Sequence, residues 1–415
     1  MLDHSYAPRK LRNLDGLEKA LWLLNYNRNT HFSVVAEIEG LSTAEPLRAA
    51  AESVGKQIPF VSARIVVDTD GTPFFEIGEP RAIPLKVVEA GGRHWTQYLE
   101  DELADRFDAM ADPLLRLRLV IDGGKCALIL SMHHSVADGR SAVYLLRDIL
   151  SSASGRQVVP AIDIRSLEQA LDDKKLPVRE IPPLREALNP SPGYRAADLK
   201  QPSVAARTID PGHVAALRER ARQERTTVHG ALCAAAARAF ARTKPAHPVN
   251  PPRVLSPVDA RRRLLDAAEN LAFYVNGITV DLPKFDENFW EDARRYSAKV
   301  DLFNDPHVLA YGIRGVRAAA EQASSVEIAA ALWAKIFGAE VLVTNLGNLD
   351  IPVTYGSLHL TGLWGPAISM GIAGEESIGA ATLDGRLHLL HLSFQPPIGF
   401  LDAVVDILNE ACGLS

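Results

Sequence analysis

The sequence predicts an α+β protein that is built from two units of similar size. At 415 residues the chain is longer than a single hydrophobic core usually supports, so two units of about 200 residues each are expected. Strand-like apolar runs are interleaved with segments that carry apolar residues at helical spacing, which favours mixed sheets with helices packed against them. Six prolines between Pro177 and Pro202 oppose both helix and strand, and they mark a linker. The predicted division is residues 1–175, a linker over 176–206, and residues 207–415.

The first half begins with a strand, a helix and a hairpin. An apolar run over 32–40 has strand character, and Ser42 or Thr43 can cap a helix over 44–56. Apolar residues that recur on one face support this helix. An Asp-Gly pair at 70–71 then marks a hairpin turn.

A second hairpin is predicted over 113–132, and its return strand ends in two histidines. Apolar and polar residues alternate in the first strand, and an Asp-Gly-Gly triplet supplies the turn. Arg116 and Arg118 share one face of that strand, where we expect them to be solvated. The return strand, Lys125–Met132, is apolar and delivers the histidines to its end.

Two histidines, an aspartate and a glycine occupy the turn that follows this strand: His133, His134, Asp138 and Gly139. The next residues carry apolar side chains at helical spacing, so the turn joins a buried strand to a helix. A side chain in such a turn is held rigidly and can still face a cleft. A neutral imidazole near pH 7 is the usual general base for a hydroxyl or amine nucleophile. The turn is therefore the candidate centre of chemistry.

The aspartate and the glycine of this turn are predicted to be structural. Only three residues separate Asp138 from His134, so Asp138 braces the turn more naturally than it completes a catalytic triad. Gly139 is expected to let the chain leave the turn without a Cβ clash.

The second half is predicted to open with two helices. Asp210 followed by Pro211 indicates the start of a helix over 210–225 that carries several arginines. A Thr-Thr pair at 226–227 caps a second helix, Val228–Ala241, whose small side chains allow close packing against a sheet or another helix.

The composition excludes several functional classes. The net charge of -6 and the absence of a basic tract argue against nucleic-acid binding. The three cysteines are far apart and lack metal-ligand spacing, so no metal site and a reducing cytoplasm are expected, with Cys126 and Cys233 buried. No secretory signal peptide is visible. The uncharged run over 351–374 contains two prolines and five glycines, which opposes a membrane span.

The pattern His-His-x-x-x-Asp-Gly at 133–139 resembles the signature of the chloramphenicol acetyltransferase superfamily. Its relatives include condensation domains of nonribosomal peptide synthetases, plant alcohol acyltransferases, and polyketide-associated acyltransferases of the phthiocerol dimycocerosyl transferase type. The Asp-Phe-Gly-Trp-Gly motif of the plant enzymes is missing, so the chain is most similar to the polyketide-associated enzymes. The resemblance implies two chloramphenicol-acetyltransferase-like subdomains, each a mixed β-sheet flanked by helices, with the active site in a channel between them.

The resemblance also implies roles for individual residues of the motif. His134, the second histidine, matches the general base, whereas His133 matches a structural position. The segment Pro-Val-Asp-x-Arg at 257–261 resembles a family segment whose arginine pairs with the aspartate of the histidine motif. Arg261 is therefore expected to pair with Asp138.

A third stretch resembles the family at the end of a strand. The apolar run that ends in Thr344 and Asn345 resembles the Ser-Asn-x-Gly strand end beside the acyl channel of these enzymes. Both residues are candidate channel residues and candidate donors to the oxyanion of a tetrahedral intermediate.

The activity implied by the resemblance is acyl transfer from a thioester that is carried by coenzyme A or by phosphopantetheine on an acyl carrier protein. The acceptor is expected to be a hydroxyl of a secondary metabolite or lipid, with no bound cofactor and no metal. The alternatives are a free-standing condensation enzyme that forms an amide, and a catalytically silent module that docks carriers. The intact His134 argues against the silent module. A cytoplasmic monomer is expected, without nucleic-acid or membrane partners.

Overall fold

The computed structural model describes almost the whole chain. The described residues are 7–28, 30–111, 113–177, 179, 181, 189–195, 199, 201–264 and 269–414. Part of the predicted linker over 176–206 therefore lies outside the described residues, and so do four positions, 265–268, that follow Arg261.

Strands and helices alternate through both halves of the described chain. The strands are β1 (Arg9–Asn13), β2 (Phe32–Glu39), β3 (Ala63–Val67), β4 (Pro73–Ile77), β5 (Leu85–Glu89), β6 (Leu115–Asp122), β7 (Lys125–Met132), β8 (Ser203–Ile209), β9 (Val254–Asp259), β10 (Val275–Val280), β11 (Val341–Asn348), β12 (Thr354–Tyr355), β13 (Leu358–Ala367), β14 (Glu376–Leu383) and β15 (Arg386–Ser393). The helices are α1 (Gly16–Arg28), α2 (Glu45–Gly55), α3 (Trp95–Ala104), α4 (Gly139–Ala153), α5 (Leu167–Asp173), α6 (Pro211–Gln223), α7 (Val228–Thr243), α8 (Arg261–Leu264), α9 (Phe289–Asp301), α10 (Pro306–Glu321), α11 (Val326–Phe337) and α12 (Phe400–Cys412).

These strands form two large sheets and one small sheet. The first large sheet has the order β12-β13-β2-β7-β6-β5, the second has the order β10-β9-β11-β14-β15-β8, and β1-β4-β3 form the small sheet. Both large sheets are mixed, because β5 runs parallel to β6 and β11 runs parallel to β14 while their other neighbours are mostly antiparallel. The predicted α+β class with mixed sheets is confirmed.

The two halves of the chain are interlocked through the first sheet. Strands β12 and β13 come from the second half, and β13 pairs antiparallel with β2 of the first half. Strand β8 begins at Ser203, inside the range predicted as linker. The division at 175 and 207 stays a prediction, since the shared sheet joins the halves by backbone hydrogen bonds.

Helices cover the sheets where apolar periodicity predicts them. Helix α4 buries its apolar face against α2 and β2. Helix α7 packs on α9, α12 and β11, and its alanines from Ala234 to Ala237 are fully buried because their small side chains allow close approach. Among the described helices, none is both long enough and apolar enough to cross a lipid bilayer.

The helix caps confirm one prediction and overturn another. The Thr227 side chain accepts a hydrogen bond from the Gly230 backbone N–H and caps α7 as predicted. Helix α2 has Ala44 at its N-cap and no side-chain cap, so neither Ser42 nor Thr43 plays that role. A proline in its first turn lacks one of the N–H groups that a capping side chain would bind.

The prediction that Arg116 and Arg118 are solvated is wrong. The Arg116 Nε lies 2.7 Å and the Arg118 Nε lies 2.6 Å from carboxylate oxygens of Glu102, which is itself buried. Glu102 comes from α3, and this helix lies over the face of the sheet that was expected to meet water. The paired arginines lower the pKa of Glu102 against the opposing effect of burial.

Candidate active site

The histidine turn joins β7 to α4 and exposes only one of its two histidines to a cavity. The ends of β7 and α4 fix the turn, because Asp138 is the N-cap residue of α4 and its Oδ1 accepts a hydrogen bond of 3.0 Å from the Ser141 N–H. His133 is buried, whereas His134 is partly exposed and lines an internal cavity. The turn therefore separates a buried imidazole from an accessible one.

His134 is held in one tautomer by the backbone of its own turn. Its Nδ1 lies 2.8 Å from the Ala137 carbonyl oxygen, and a carbonyl only accepts, so Nδ1 carries the proton and donates. The other nitrogen, Nε2, then has a free lone pair. The rings of Phe32 and Phe273 pack on the imidazole at centroid distances of 4.9 and 5.1 Å and fix its orientation. This is the arrangement that a general base requires.

The surroundings keep His134 neutral. Burial lowers its pKa below the ordinary 6.5, and this effect outweighs the hydrogen bond to Ala137 and the negative charge of Asp138, which act in the opposite direction. A lowered pKa means that the imidazole is unprotonated at neutral pH. His134 is therefore available to accept a proton at Nε2.

The cavity beside His134 is narrow, apolar and lined by both halves of the chain. Its volume is about 80 Å³. The apolar side chains around it are Leu17, Leu21, Phe32, Leu255, Phe273, Val275, Trp333, Phe337, Leu342, Ile368 and Met370. Helices α1 and α11 contribute to this lining, and so do strands of both large sheets. An apolar chain with few polar atoms fits such a lining.

His133 is turned away from this cavity into the protein. The Ser135 N–H donates to its Nδ1 at 3.2 Å, and the Ser135 hydroxyl lies 2.7 Å from the same nitrogen. Its proton therefore sits on Nε2, which is buried without a partner among the described residues. Burial, with smaller effects from His31 and His134, lowers the pKa of His133 to about 3. His133 cannot reach a substrate in the cavity and packs against Phe107.

Asp138 meets Arg261, as the resemblance implies, and the pair joins the two halves. The Arg261 Nη1 lies 2.7 Å from the Asp138 Oδ2, and both side chains are buried. The Tyr274 N–H donates to the same Oδ2 at 2.8 Å. Burial alone would raise the pKa of Asp138, but the charge of Arg261 and the N–H donors outweigh it and hold that pKa below its usual value. The carboxylate is saturated by these donors and has no hydrogen bond to His134.

Arg261 is fixed by a further set of acceptors. Its Nη2 donates to the Ser141 hydroxyl oxygen at 2.7 Å and to the Ala272 carbonyl at 2.8 Å, and its Nη1 also approaches Asp259 at 3.1 Å. The Ser141 hydroxyl in turn donates to the Ala272 carbonyl at 2.6 Å. Together these bonds tie the first turn of α4 to the strand end at Asp259, so the pair is part of a satisfied buried network.

The structure separates the two residues that were candidates for the oxyanion. Thr344 is buried and lines the cavity, whereas Asn345 lies on the opposite face of β11 because side chains alternate along a strand. The Asn345 Oδ1 accepts a hydrogen bond of 2.8 Å from the Gly347 N–H and braces the strand end. Thr344 alone of the two is placed to meet a substrate in this cavity.

Gly139 is required for a reason that the sequence does not reveal. Its φ is not positive, so the turn itself demands no glycine. A Cβ at this position would collide with the ring of Pro366 and would lie 3.2 Å from Leu346. Both of these residues lie on strands of the second half. The clash that glycine avoids is therefore with distant segments of the chain, not within the turn as predicted.

Three residues at the site were missed by the sequence analysis. Phe32 and Phe273 form the walls around His134, and Arg140 crosses between the halves to donate to the Leu346 carbonyl at 2.9 Å. The position of Arg140 directly after the motif is the only signal in the sequence that could have suggested it. Among the described residues no group of three His, Cys, Asp or Glu side chains could hold a metal ion. Cys126 and Cys233 are free and buried, as predicted.

Comparison with known proteins gives matches in sequence and in structure. Residues 200–272 match the family described as "Phthiocerol/phthiodiolone dimycocerosyl transferase C-terminus". Nonribosomal peptide synthetase sidC of Arthroderma benhamiae is 29% identical over 116 residues, which make up 26% of this chain and 2% of that protein. The chain thus spans a very small part of the curated relative that it matches.

Two solved structures superimpose over nearly the whole chain. Polyketide synthase associated protein 5 from Mycobacterium tuberculosis has a TM-score of 0.65 at 17% identity, with 98% of this chain and 99% of that chain covered. The first condensation domain of the CDA synthetase has a TM-score of 0.69 at 16% identity, with coverages of 97% and 96%. The chain has the condensation-domain fold.

The superpositions confirm the predicted α+β architecture of mixed sheets flanked by helices. The sequence match to the acyltransferase family is confined to residues 200–272.

Proposed function

We propose that this protein transfers an acyl group from a thioester to a hydroxyl group, with His134 as the general base. One observation carries the proposal: the Nε2 of a neutral imidazole, fixed by the Nδ1 hydrogen bond to Ala137, borders an apolar cavity between the two halves. General bases of this kind contribute about 10²–10⁴-fold to rate. The family match of residues 200–272 to an acyltransferase supports the same reaction class.

In the proposed reaction His134 moves one proton in each direction. Its Nε2 accepts the proton of the acceptor hydroxyl while that oxygen attacks the thioester carbonyl. The tetrahedral intermediate then collapses, the carbon–sulfur bond breaks, and the leaving thiolate takes the proton back from Nε2. The products are an ester and a free thiol, and His134 returns to its neutral state. Thr344 is the proposed donor near the carbonyl oxygen.

The proposed donor is an acyl group on coenzyme A or on the phosphopantetheine of an acyl carrier protein, and it is a substrate, not a bound cofactor. The apolar lining supports an acyl chain or acceptor that is apolar next to the reacting carbonyl, as in lipid or polyketide-derived metabolites. Asp138 and Arg261 are proposed to aim the turn and to take no part in proton transfer, since the carboxylate is already saturated.

Amide formation by a free-standing condensation enzyme is the second candidate. Its support is the superposition on a condensation domain with a TM-score of 0.69. A base that deprotonates a hydroxyl can also deprotonate an ammonium acceptor, so the residues around His134 serve either reaction.

One product analysis distinguishes these functions. The purified protein is incubated with a panel of apolar acyl thioesters and with paired alcohols and amines of the same carbon skeleton, and the products are identified by mass spectrometry. We expect esters, and we expect the His134→Ala variant to form them about 10²–10⁴-fold more slowly. Amides alone would favour the condensation enzyme. The absence of both products with every donor would favour the silent carrier-docking module.

A further inference from the structure

A second cleft lies between the two large sheets, away from the histidine turn. Its volume is about 660 Å³, and its lining shares no residue with the cavity beside His134. Glu37 on β2 lies five residues beyond Phe32, so it is about 17 Å further along the strand. Val35, which lies between Phe32 and Glu37 on the same strand, is fully buried in an apolar cluster with Ile129 and Leu390. The cleft is therefore a separate site.

The cleft contains a carboxylate, Glu37, that accepts hydrogen bonds from two indoles and forms no ion pair with any residue that the structure describes. The Trp95 Nε1 donates to the Glu37 Oε1 at 3.1 Å, and the Trp364 Nε1 donates to the Oε2 at 2.6 Å. The two indole rings lie 5.4 Å apart. Gly362 makes room for this arrangement, because a Cβ there would lie 2.6 Å from the Glu37 Oε2. An ammonium group binds over the face of an indole ring, and a nearby carboxylate adds a charge of opposite sign.

A buried histidine from the second half provides an independent observation. His388 lines the same cleft, is 2% exposed, and has an Nε2 without a hydrogen-bond partner among the described residues. Its ring packs on Trp364 at 4.6 Å, and its Cε1 lies 3.5 Å from the place where a Gly362 Cβ would be. The His388 imidazole and the Glu37 carboxylate, which come from opposite halves of the chain, therefore both approach the space above Gly362. A buried polar atom without a partner is costly unless a ligand or water satisfies it.

The charge balance of the cleft favours a positive ligand. Each lining Lys or Arg already has a carboxylate partner: Arg93 pairs with Asp101, Lys125 with Glu39 and Arg386 with Asp210. By contrast, no ion pair joins Glu37, Asp122 or Asp384 to a cation within the described part of the chain, and Lys125, which pairs with Glu39, acts on Glu37 only as a weaker, more distant charge. Unneutralised carboxylates in a cleft raise the local concentration of cations.

We propose that this cleft is a binding site for an organic cation with a primary or quaternary ammonium group. Glu37 supplies the counter-charge, the Trp95 indole supplies an aromatic wall, and His388 supplies a polar contact from the second half. A bound cation would touch both halves at once, in a cleft apart from His134.

Calorimetric titration of the complete chain tests the site. Choline chloride is titrated beside 3,3-dimethylbutan-1-ol, its neutral isostere, and sodium chloride at equal ionic strength. We expect saturable choline binding with a dissociation constant on the order of 1 mM, since one carboxylate and one indole wall give a weak site. The alcohol and sodium should give no saturable heat. No acyl donor is present, so the result does not depend on the proposed acyl transfer.

Two glutamate substitutions localise the binding. Glu37→Gln removes the charge and keeps an acceptor for an indole, and we expect choline to bind about tenfold more weakly. Glu52→Gln is the control, because Glu52, on helix α2, pairs with Lys56 and lies outside the cleft lining, and it should change binding less than about twofold. Equal heats for choline and its neutral isostere in the unsubstituted protein would overturn the proposal, and so would equal competition by sodium.

Discussion

The two sides of the histidine turn have opposite environments although they are adjacent in sequence. On one side, His134 presents an unprotonated Nε2 to an apolar cavity. On the other, His133 is buried and hydrogen-bonded within the protein. Asp138 also borders the cavity, but its carboxylate accepts hydrogen bonds from Arg261, Tyr274 and Ser141. The difference teaches that, of the two histidines, only His134 presents a free lone pair to the cavity. The other residues hold its position, so substitutions on the two sides should have different consequences.

The largest expected effect is on rate, at His134. His134→Ala should lower acyl transfer by about 10²–10⁴-fold, because the general base is lost. The melting temperature should stay close to that of the unsubstituted protein, since the ring is partly exposed at a cavity. Steady-state kinetics and calorimetry on the same preparation measure both quantities. Near-normal turnover in the folded variant would remove His134 from the mechanism.

The next effect is on stability, at the buried ion pair. Asp138→Ala and Arg261→Ala should each lower the free energy of unfolding by about 3–5 kcal/mol, because each strands a buried charge. The double variant should lose less than the sum. Asp138→Asn should do less harm, since an amide oxygen still accepts hydrogen bonds. Activity should fall with each single change, because the turn that aims His134 loses its brace.

An ion pair on the surface between the two halves, Arg147 and Glu269, is the matched control for the double-mutant cycle of Asp138 and Arg261. Arg147 and Glu269 approach to 2.6 Å, but Glu269 is 53% exposed. The same cycle on this pair should give a coupling of about 1 kcal/mol or less, because water screens an exposed pair. If the losses in free energy of unfolding for Asp138→Ala and Arg261→Ala simply add in the double variant, the two residues do not share a buried network.

A smaller effect on stability is expected at His133, the buried histidine. His133→Ala should lower the free energy of unfolding by about 1–3 kcal/mol through lost packing against Phe107. The rate of acyl transfer should fall much less in this variant than in His134→Ala. Urea denaturation and kinetics on the two alanine variants measure the difference. A rate loss equal to that of His134→Ala, without a loss of stability, would show that the two roles are shared.

The pH dependence of the unsubstituted protein tests the environment of His134 without any substitution. Burial lowers the pKa of His134, so its imidazole stays neutral and active to a lower pH than a free histidine. The rate constant kcat/KM should therefore rise with pH along an acid limb centred below 6.5 and level off above it. An acid limb at or above 6.5 would contradict the neutral, desolvated base.

The smallest expected effect is on KM, and it concerns arginines on the surface of helix α6. If a carrier protein delivers the donor, an acidic helix of that carrier needs a basic patch. Arg218→Glu should raise KM for a carrier-bound donor by about fivefold at most and leave KM for the coenzyme A donor unchanged, since exposed charges contribute little. Arg222→Glu should act less, because Arg222 already pairs with Glu219 at 2.7 Å. Equal changes for both donors would discard this surface.

Local patterns in the sequence predicted the elements around the site well. The strand Lys125–Met132 has the same bounds in prediction and structure, and the helix that begins at Gly139 follows its apolar periodicity. The Asp138–Arg261 contact was available only through the resemblance, because 123 residues separate the partners. Spacing along one element does not indicate which distant side chain will meet it.

The two errors have different physical origins. Arg116 and Arg118 looked solvated because their strand alternates, but both form ion pairs with Glu102, which lies on a helix that precedes the strand. Thr344 and Asn345 looked equivalent in the motif, and the alternation of their own strand, β11, turned only Thr344 towards the cavity.

The sequence by itself determined the class of the fold and the strand–turn–helix at the centre of the site, and its resemblance to a known family singled out His134 as the candidate base. The fold class and the strand–turn–helix depend on backbone preferences and on residue spacing within a few turns or strands. The tertiary structure decided that Phe32 and Phe273 would enclose the imidazole, that Gly139 would face Pro366, and that the second cleft would exist. Those features require surfaces from distant segments to meet, and close packing, not local preference, selects which atoms approach.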